Sequence, residues 1–189
     1  MKTLWLVILS SITVHAGAMP AQVILIRHAE KITDENPNLS EQGFKRAKAL
    51  VPFFTTEAKF LKFGMPVAIY AMEPKDKSGS LRPIQTVQPL ADSLKIAINH
   101  KYTKKKISAL VSEVKANPQY DGKSVLICWQ HDFLPKIAHE FGVHRVPDKW
   151  RGSNYNQVWI LEFPKSGDPT FTMVLQNPNL DPPTKATAD

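Results

Sequence analysis

The residues best suited to chemistry stand together in Arg27-His28, directly after the apolar run Val23-Ile24-Leu25-Ile26. An imidazole is a nucleophile and a proton carrier near neutral pH, and a guanidinium presents a fork of donors matched to phosphate or carboxylate. A second apolar run, Val125-Leu126-Ile127-Cys128-Trp129, leads in the same way to Gln130-His131-Asp132. Between the two, Arg82 opens the stretch Arg82-Pro83-Ile84-Gln85-Thr86. If the apolar runs are neighbouring parallel strands, His28 and His131 leave the sheet at one carboxyl edge, where open α/β sheets bind ligands. Two imidazoles and two guanidiniums converging there make a cationic pocket. Such a set suits phosphoryl transfer, in which catalysis is largely positioning and neutralisation of charge on the equatorial oxygens. Arg27 and Arg82 would clamp those oxygens, while one imidazole attacks phosphorus in line and the other donates to an oxygen. With these groups around phosphorus, no metal or other cofactor is required.

The elements that must hold these side chains follow from periodicity and turn chemistry. Residues 21–26, 67–71 and 124–129 read as buried strands, and 95–98 as a further short one. Ser40 is a candidate N-cap for a helix starting at Glu41, with Phe44, Ala47, Leu50 and Val51 at helical spacing and Pro52 expected to kink or end it. Pro83 fits the first turn of a helix over 84–94. Ile107, Leu110, Val111 and Val114 form a helical stripe, and Pro135 opens a helix that Gly142 stops. Residues 157–163 and 170–175 read as two late strands, forming a hairpin around 165–169. Trp150, Tyr155 and Trp159 are expected to pack the C-terminal portion against the sheet. Strands alternating with helices imply an α/β three-layer sandwich, with a mostly parallel sheet flanked by helices on both faces.

The 189 residues fit one domain, and 43% hydrophobic content supplies a sizeable core. A formal charge of +7 favours anionic ligands. Its one dense cluster, four lysines over 101–106, reads as a solvated helix start. Nucleic-acid binding would want interleaved aromatics and a known module, and only Tyr102 is nearby, so nucleic acid is not an expected partner. Lys2, the apolar stretch 4–14 and Ala16-Gly17-Ala18 read as a secretory signal cleaved after Ala18. That divides the chain into a leader (1–18), a catalytic domain (19–176) and a loose Pro-rich tail (177–189). It also places the mature protein in the periplasm or outside the cell, with no membrane span. Retention as an anchor, and initiation at Met19, are the competing readings. The single cysteine, Cys128, sits in an apolar strand and reads as a buried small hydrophobe. His139 and His144 lie five apart, whereas zinc ligands on one helix face favour three or four. They read as helix C-terminal histidines, and no metal site is expected.

Taken in order, these elements resemble the histidine phosphatase superfamily, with its phosphoglycerate-mutase-like fold. Arg27-His28-Ala29 matches that family's Arg-His-Gly/Ala signature. Leu39-Ser40-Glu41-Gln42-Gly43 resembles its Leu-Thr/Ser-x-x-Gly helix opening, followed by Arg46-Ala47. Arg82 with Gln85-Thr86 resembles its Arg-x-x-Gln-Thr element, and the strand ending in His131 its second histidine. The resemblance covers roughly residues 23–142. It implies that His28 accepts the phosphoryl group, and that Arg27, Arg82 and His131 bind it and stabilise the transition state.

Departures from the family pattern bear on substrate and mechanism. Many relatives carry an acid in a Gly-x-x-Glu-Gly-like element after the second arginine. None occurs between Leu94 and Tyr120, which disfavours a mutase; Glu113 in that interval reads as surface. Asp132 resembles the Asp of the acid-phosphatase His-Asp pair, and is either the general acid or a cap for the helix opened by Pro135. Glu73 is a second candidate acid, and Glu30 and Lys31 are expected to shape the pocket rim. The expected function is a metal-independent phosphomonoesterase. Its substrate would be a small-molecule, sugar or lipid phosphate ester, or a phosphoprotein. The alternatives are a non-catalytic phospho-ligand-binding protein on the same fold and a basic surface protein for polyanions. Oligomeric state is not fixed by the sequence.

Overall fold

The apolar runs do become the centre of one sheet. A computed structural model describes residues 19–76 and 79–176; the expected leader (1–18) and tail (177–189) lie outside the described residues. Along the chain run β1 (Gln22–Arg27), α1 (Glu41–Thr56), α2 (Ala58–Leu61), β2 (Ala68–Ala71), α3 (Arg82–Leu94) and β3 (Ile98–Asn99). Then follow α4 (Ile107–Ala116), β4 (Ser124–Trp129), α5 (Leu134–Glu140), β5 (Gln157–Glu162) and β6 (Thr170–Leu175). The sheet order is β3-β2-β4-β1-β5-β6. β1 and β4 are parallel neighbours in the register Val23 to Val125 through Arg27 to Trp129, so their carboxyl ends finish level. β2 and β3 run parallel to them, while β5 and β6 close the far side as an antiparallel hairpin.

Alternation along the strands divides the core between the two faces. Val23, Leu25, Val125 and Ile127 pack with Ile107, Leu110, Val114 and Ile137 of α4 and α5. Ile24, Ile26, Leu126 and Cys128 pack with Leu50, Phe54, Val87 and Leu90 of α1 and α3. Each such fully buried aliphatic contributes about 1.5–3 kcal/mol by leaving water.

Three local expectations change. α1 begins with Ser40 accepting from the Gly43 N–H at 3.1 Å, but it runs through Pro52 to Thr56. The packing that carries it past the proline is an aromatic cluster, in which Phe54 meets Phe60 at 4.8 Å and Phe53 meets Phe60 at 4.9 Å. The buried stripe of α1 is Gly43, Ala47, Leu50 and Phe54, and Phe44 faces solvent. The strand expected over 95–98 is reduced to Ile98–Asn99, because Lys95 adopts the left-handed conformation (φ 56°) that ends α3.

Glu30 does not rim a pocket. It is buried and accepts from Arg46 Nε and Nη2 at 2.6–3.0 Å, and Arg46 also donates to Gln176. The pair ties α1 to the segment that follows His28. Removing one partner of a buried pair leaves the other charge uncompensated. Glu30→Gln is therefore expected to lower unfolding free energy by about 3 kcal/mol, read from urea denaturation midpoints at constant slope.

Candidate active site

His28 leaves β1 with its N–H bonded to the Trp129 carbonyl at 3.1 Å, which levels it with the end of β4. Its ring Nδ1 lies 2.7 Å from the Ala29 carbonyl. A carbonyl can only accept, so Nδ1 carries the hydrogen and Nε2 keeps its lone pair. Burial, then the positive charge of Arg27, hold its pKa down at about 3, with Arg82 and His131 adding to the effect. The ring is therefore neutral at ordinary pH, and Nε2 is a competent nucleophile.

The two arginines share an unusual property. Arg27 and Arg82 are 2% and 8% exposed, yet neither makes an ion pair with a carboxylate among the described residues. Arg27 Nη1 donates to the carbonyls of Gly152 (2.6 Å) and Asn154 (3.2 Å), and its guanidinium lies 3.7 Å from the ring centre of Tyr155. Arg82 Nη2 donates to the Asp34 carbonyl at 2.8 Å. The Nε atoms of both are buried without a partner. Arg46, by contrast, is fully neutralised by Glu30. A buried cation without a counter-ion costs several kcal/mol, and an anion held between two such groups recovers that cost.

His131 lies on the same edge. Its Nε2 is 2.8 Å from Asp132 Oδ1, and its Nδ1 is buried without a partner. Burial and Arg27 hold its pKa below the usual histidine value, against the opposing pull of Asp132. Gly152 backs the ring: a Cβ there would come 3.0 Å from Nε2. Asp132 has its side chain 60% exposed and caps nothing. Its oxygens face His131 and, at 3.4 Å, Gln130 Nε2, so the capping alternative is excluded. Glu73 is instead hydrogen-bonded to His100 Nδ1.

The sequence patterns around these groups have physical reasons. Thr86 Oγ1 accepts from the Ala29 N–H (2.8 Å) and donates to the Arg82 carbonyl (2.7 Å), which fixes the backbone beside His28 against the start of α3. Gln85 accepts from the Leu39 N–H and donates to Asn38, holding the 34–39 loop over Arg82. Gly43 lets α1 approach Glu30 so closely that a Cβ would lie 2.3 Å from the Glu30 carbonyl oxygen.

Tyr155 was expected to pack the C-terminal portion. Trp150 and Trp159 do so, with ring centres 5.0 Å apart, whereas Tyr155 covers Arg27 and meets His28 edge-on at 6.3 Å. It comes from a loop with no periodicity, so no sequence signal marked it. Tyr155→Leu is expected to weaken binding of inorganic phosphate about tenfold with little change in thermal midpoint, read from a calorimetric titration beside a melting curve. Elsewhere, Cys128 is buried and its thiol pKa is raised by burial. His139 and His144 meet ring to ring at 5.6 Å. Among the described residues no three His, Cys, Asp or Glu side chains gather as metal ligands, and no helix is long and apolar enough to cross a membrane.

No family model matches the chain, and neither does any curated protein. Among solved structures it is similar to the protein histidine phosphatase SixA complexed with tungstate. That match has 16% identity, covers 82% of this chain and 96% of the other, and has a TM-score of 0.50. A protein from Agrobacterium tumefaciens assigned as phosphohistidine phosphatase SixA matches at 16% identity, with 82% and 97% coverage and a TM-score of 0.49. The chain has the α/β fold of the histidine phosphatases, the phosphoglycerate-mutase-like architecture.

Proposed function

We propose that the protein is a phosphomonoesterase that works through a phosphohistidine on His28 and needs no metal. The observation that carries this reading is a neutral imidazole, its Nε2 free, beside two buried arginines that form no ion pair with a carboxylate among the described residues. In the first step Nε2 attacks phosphorus as the ester P–O bond breaks, and the electron pair leaves on the alcohol oxygen. Asp132, oriented by His131, donates the proton that oxygen takes up. Arg27, Arg82 and His131 Nδ1–H neutralise the equatorial oxygens; the charge of the bound anion favours the doubly protonated His131 ring this requires. In the second step water attacks phosphorus and gives its proton to Asp132. The N–P bond breaks, and neutral His28 and inorganic phosphate are restored.

Phosphate esters of small molecules, sugars, lipids or proteins all present the group this site accepts. The test is phosphate release from a broad ester panel, p-nitrophenyl phosphate included, with chelator present across about pH 4 to 8. Turnover with an acid-labile, alkali-stable phosphoenzyme is expected. Absence of both refutes the reading, and calorimetric binding of an ester without release would make the protein a phospho-ligand binder.

A further inference from the structure

The two outer strands of the sheet differ in what they offer to another chain. β3 is two residues long and is followed closely by Lys101, Lys104, Lys105 and Lys106, so its edge is short and ringed by charge. Short, charged edges are how sheets resist pairing with other strands. β6 has neither protection. Its sequence, Thr-Phe-Thr-Met-Val-Leu, holds no charge, proline or glycine, and among the described residues no strand pairs with its outer side. Met173 and Leu175 are 46% and 56% exposed there.

The strand is also its own complement. Alternation sets Phe171, Met173 and Leu175 in one row, and Phe171 packs on Trp159 with ring centres 5.3 Å apart. Let a second copy pair antiparallel about a twofold axis through Met173. Phe171 then stands opposite the partner's Leu175, Thr172 opposite the partner's Val174, and Met173 opposite its own counterpart. This register gives every apolar residue of the row an apolar neighbour across the axis, the pairing that stabilises sheets. A stable interface hides roughly 800 Å² on each partner, so the contact must reach past the strand. Concave surfaces flank both ends of β6. One, of about 470 Å³, is lined by Val143, His144, Arg145 and Phe171 among others, and one of about 440 Å³ by Pro52, Phe53, Thr56 and Leu175 among others. Antiparallel pairing brings the end that carries the first against the partner's end that carries the second.

We infer that β6 is a homodimer interface, in which two copies pair antiparallel and their six-stranded sheets become continuous. Because β6 runs parallel to β1, the carboxyl edges of the two copies face opposite ways. Each candidate active site stays open and complete within its own chain, so the inference is independent of the phosphatase reading. The test is sedimentation velocity of the full chain over about 1 to 100 µM, the weak end of interfaces of this size. Wild type is compared with Met173→Lys and with a control, Met65→Lys. Met65 is 49% exposed and precedes β2, which three strands separate from β6. The register is tested by mild oxidation of Met173→Cys and Thr170→Cys. Directly opposed residues of an antiparallel pair lie about 4.5–5.5 Å apart at Cα, within disulfide reach. The two copies of residue 170 would be about 20 Å apart. Cys128 is buried and does not compete.

Wild type and Met65→Lys are expected to sediment as dimers. Met173→Lys sets two ammonium groups against each other on the axis and should weaken association about 100-fold or more, with its melting midpoint unchanged. Met173→Cys should cross-link into a dimer, and Thr170→Cys should not. A wild type that stays monomeric over the whole range overturns the inference. So does a dimer that Met173→Lys leaves intact, or a cross-link that forms as readily through residue 170 as through residue 173. Oligomers that grow steadily with concentration overturn the closed twofold pairing. If Met173→Lys does not fold, the two cysteine variants decide the matter.

Discussion

His28→Ala is expected to reduce turnover of any phosphate ester by about 10⁴-fold or more and to abolish the phosphoenzyme. The size follows from what the side chain supplies. Without Nε2 there is no atom on which to build the covalent intermediate. Arg27, Arg82 and His131 can still stabilise a phosphoryl group but have nothing to transfer it to. The loss should fall on kcat rather than on ligand affinity, because neither guanidinium is bonded to the imidazole in the structure. Inorganic phosphate should therefore still bind the variant in a calorimetric titration. The wild-type pH profile carries an independent signature. The imidazole is nucleophilic only when unprotonated, so activity depending on it is present above its pKa and lost below. With that pKa held at about 3, the nucleophile should impose no acid limb on kcat/KM down to about pH 4. An ordinary histidine would impose one near pH 6.5. Turnover and radiolabel transfer from a phosphate ester both persisting in His28→Ala would place the nucleophile elsewhere.

How much of this arrangement could be read from residues alone depends on the range of the interactions involved. The two buried strands were legible because four or five consecutive β-formers leave few alternatives, and their shared ending fixed which edge to watch. Ser40 as a cap and Pro83 at a helix start are local chemistry, and both appear where expected. What stayed hidden depends on contacts across the chain. Glu30 looked like a rim residue because Arg46, its partner, is brought to it only when α1 folds back with Gly43 against the Glu30 carbonyl. Glu113 sits in a regular helical pattern and reads as surface. In the structure it is a half-buried hub that accepts from Tyr70 (2.9 Å), Tyr102 and Asn99 (3.2 Å) and pairs with Lys101. Tyr155 reaches Arg27 from more than a hundred residues away in sequence. The tautomer of His28 is set by one backbone carbonyl, a detail no residue pattern encodes.

Asp132→Asn is expected to separate esters by their leaving groups. For alkyl phosphates kcat/KM should fall by about 10²- to 10³-fold, because an alkoxide cannot depart without a proton. For p-nitrophenyl phosphate, whose phenolate leaves unaided, the same parameter should fall by less than about tenfold, since kcat/KM reports steps only through formation of the phosphoenzyme. A plot of log kcat/KM against leaving-group pKa should accordingly become steeper in the variant. The substitution is a fair one on structural grounds. The amide keeps an oxygen that can accept from His131 Nε2 in place of Oδ1, so the second histidine retains its orientation. The carboxyl is largely exposed, so stability should change little. Glu73→Gln is the necessary control, since Glu73 follows β2 at the same edge and was the other candidate acid. Its hydrogen bond to His100 commits it to holding the loop after β3, and its variant should treat alkyl and aryl esters alike. If the steep leaving-group dependence appears in Glu73→Gln and not in Asp132→Asn, the proton comes from the β2 side of the edge, and the role given to Asp132 is wrong.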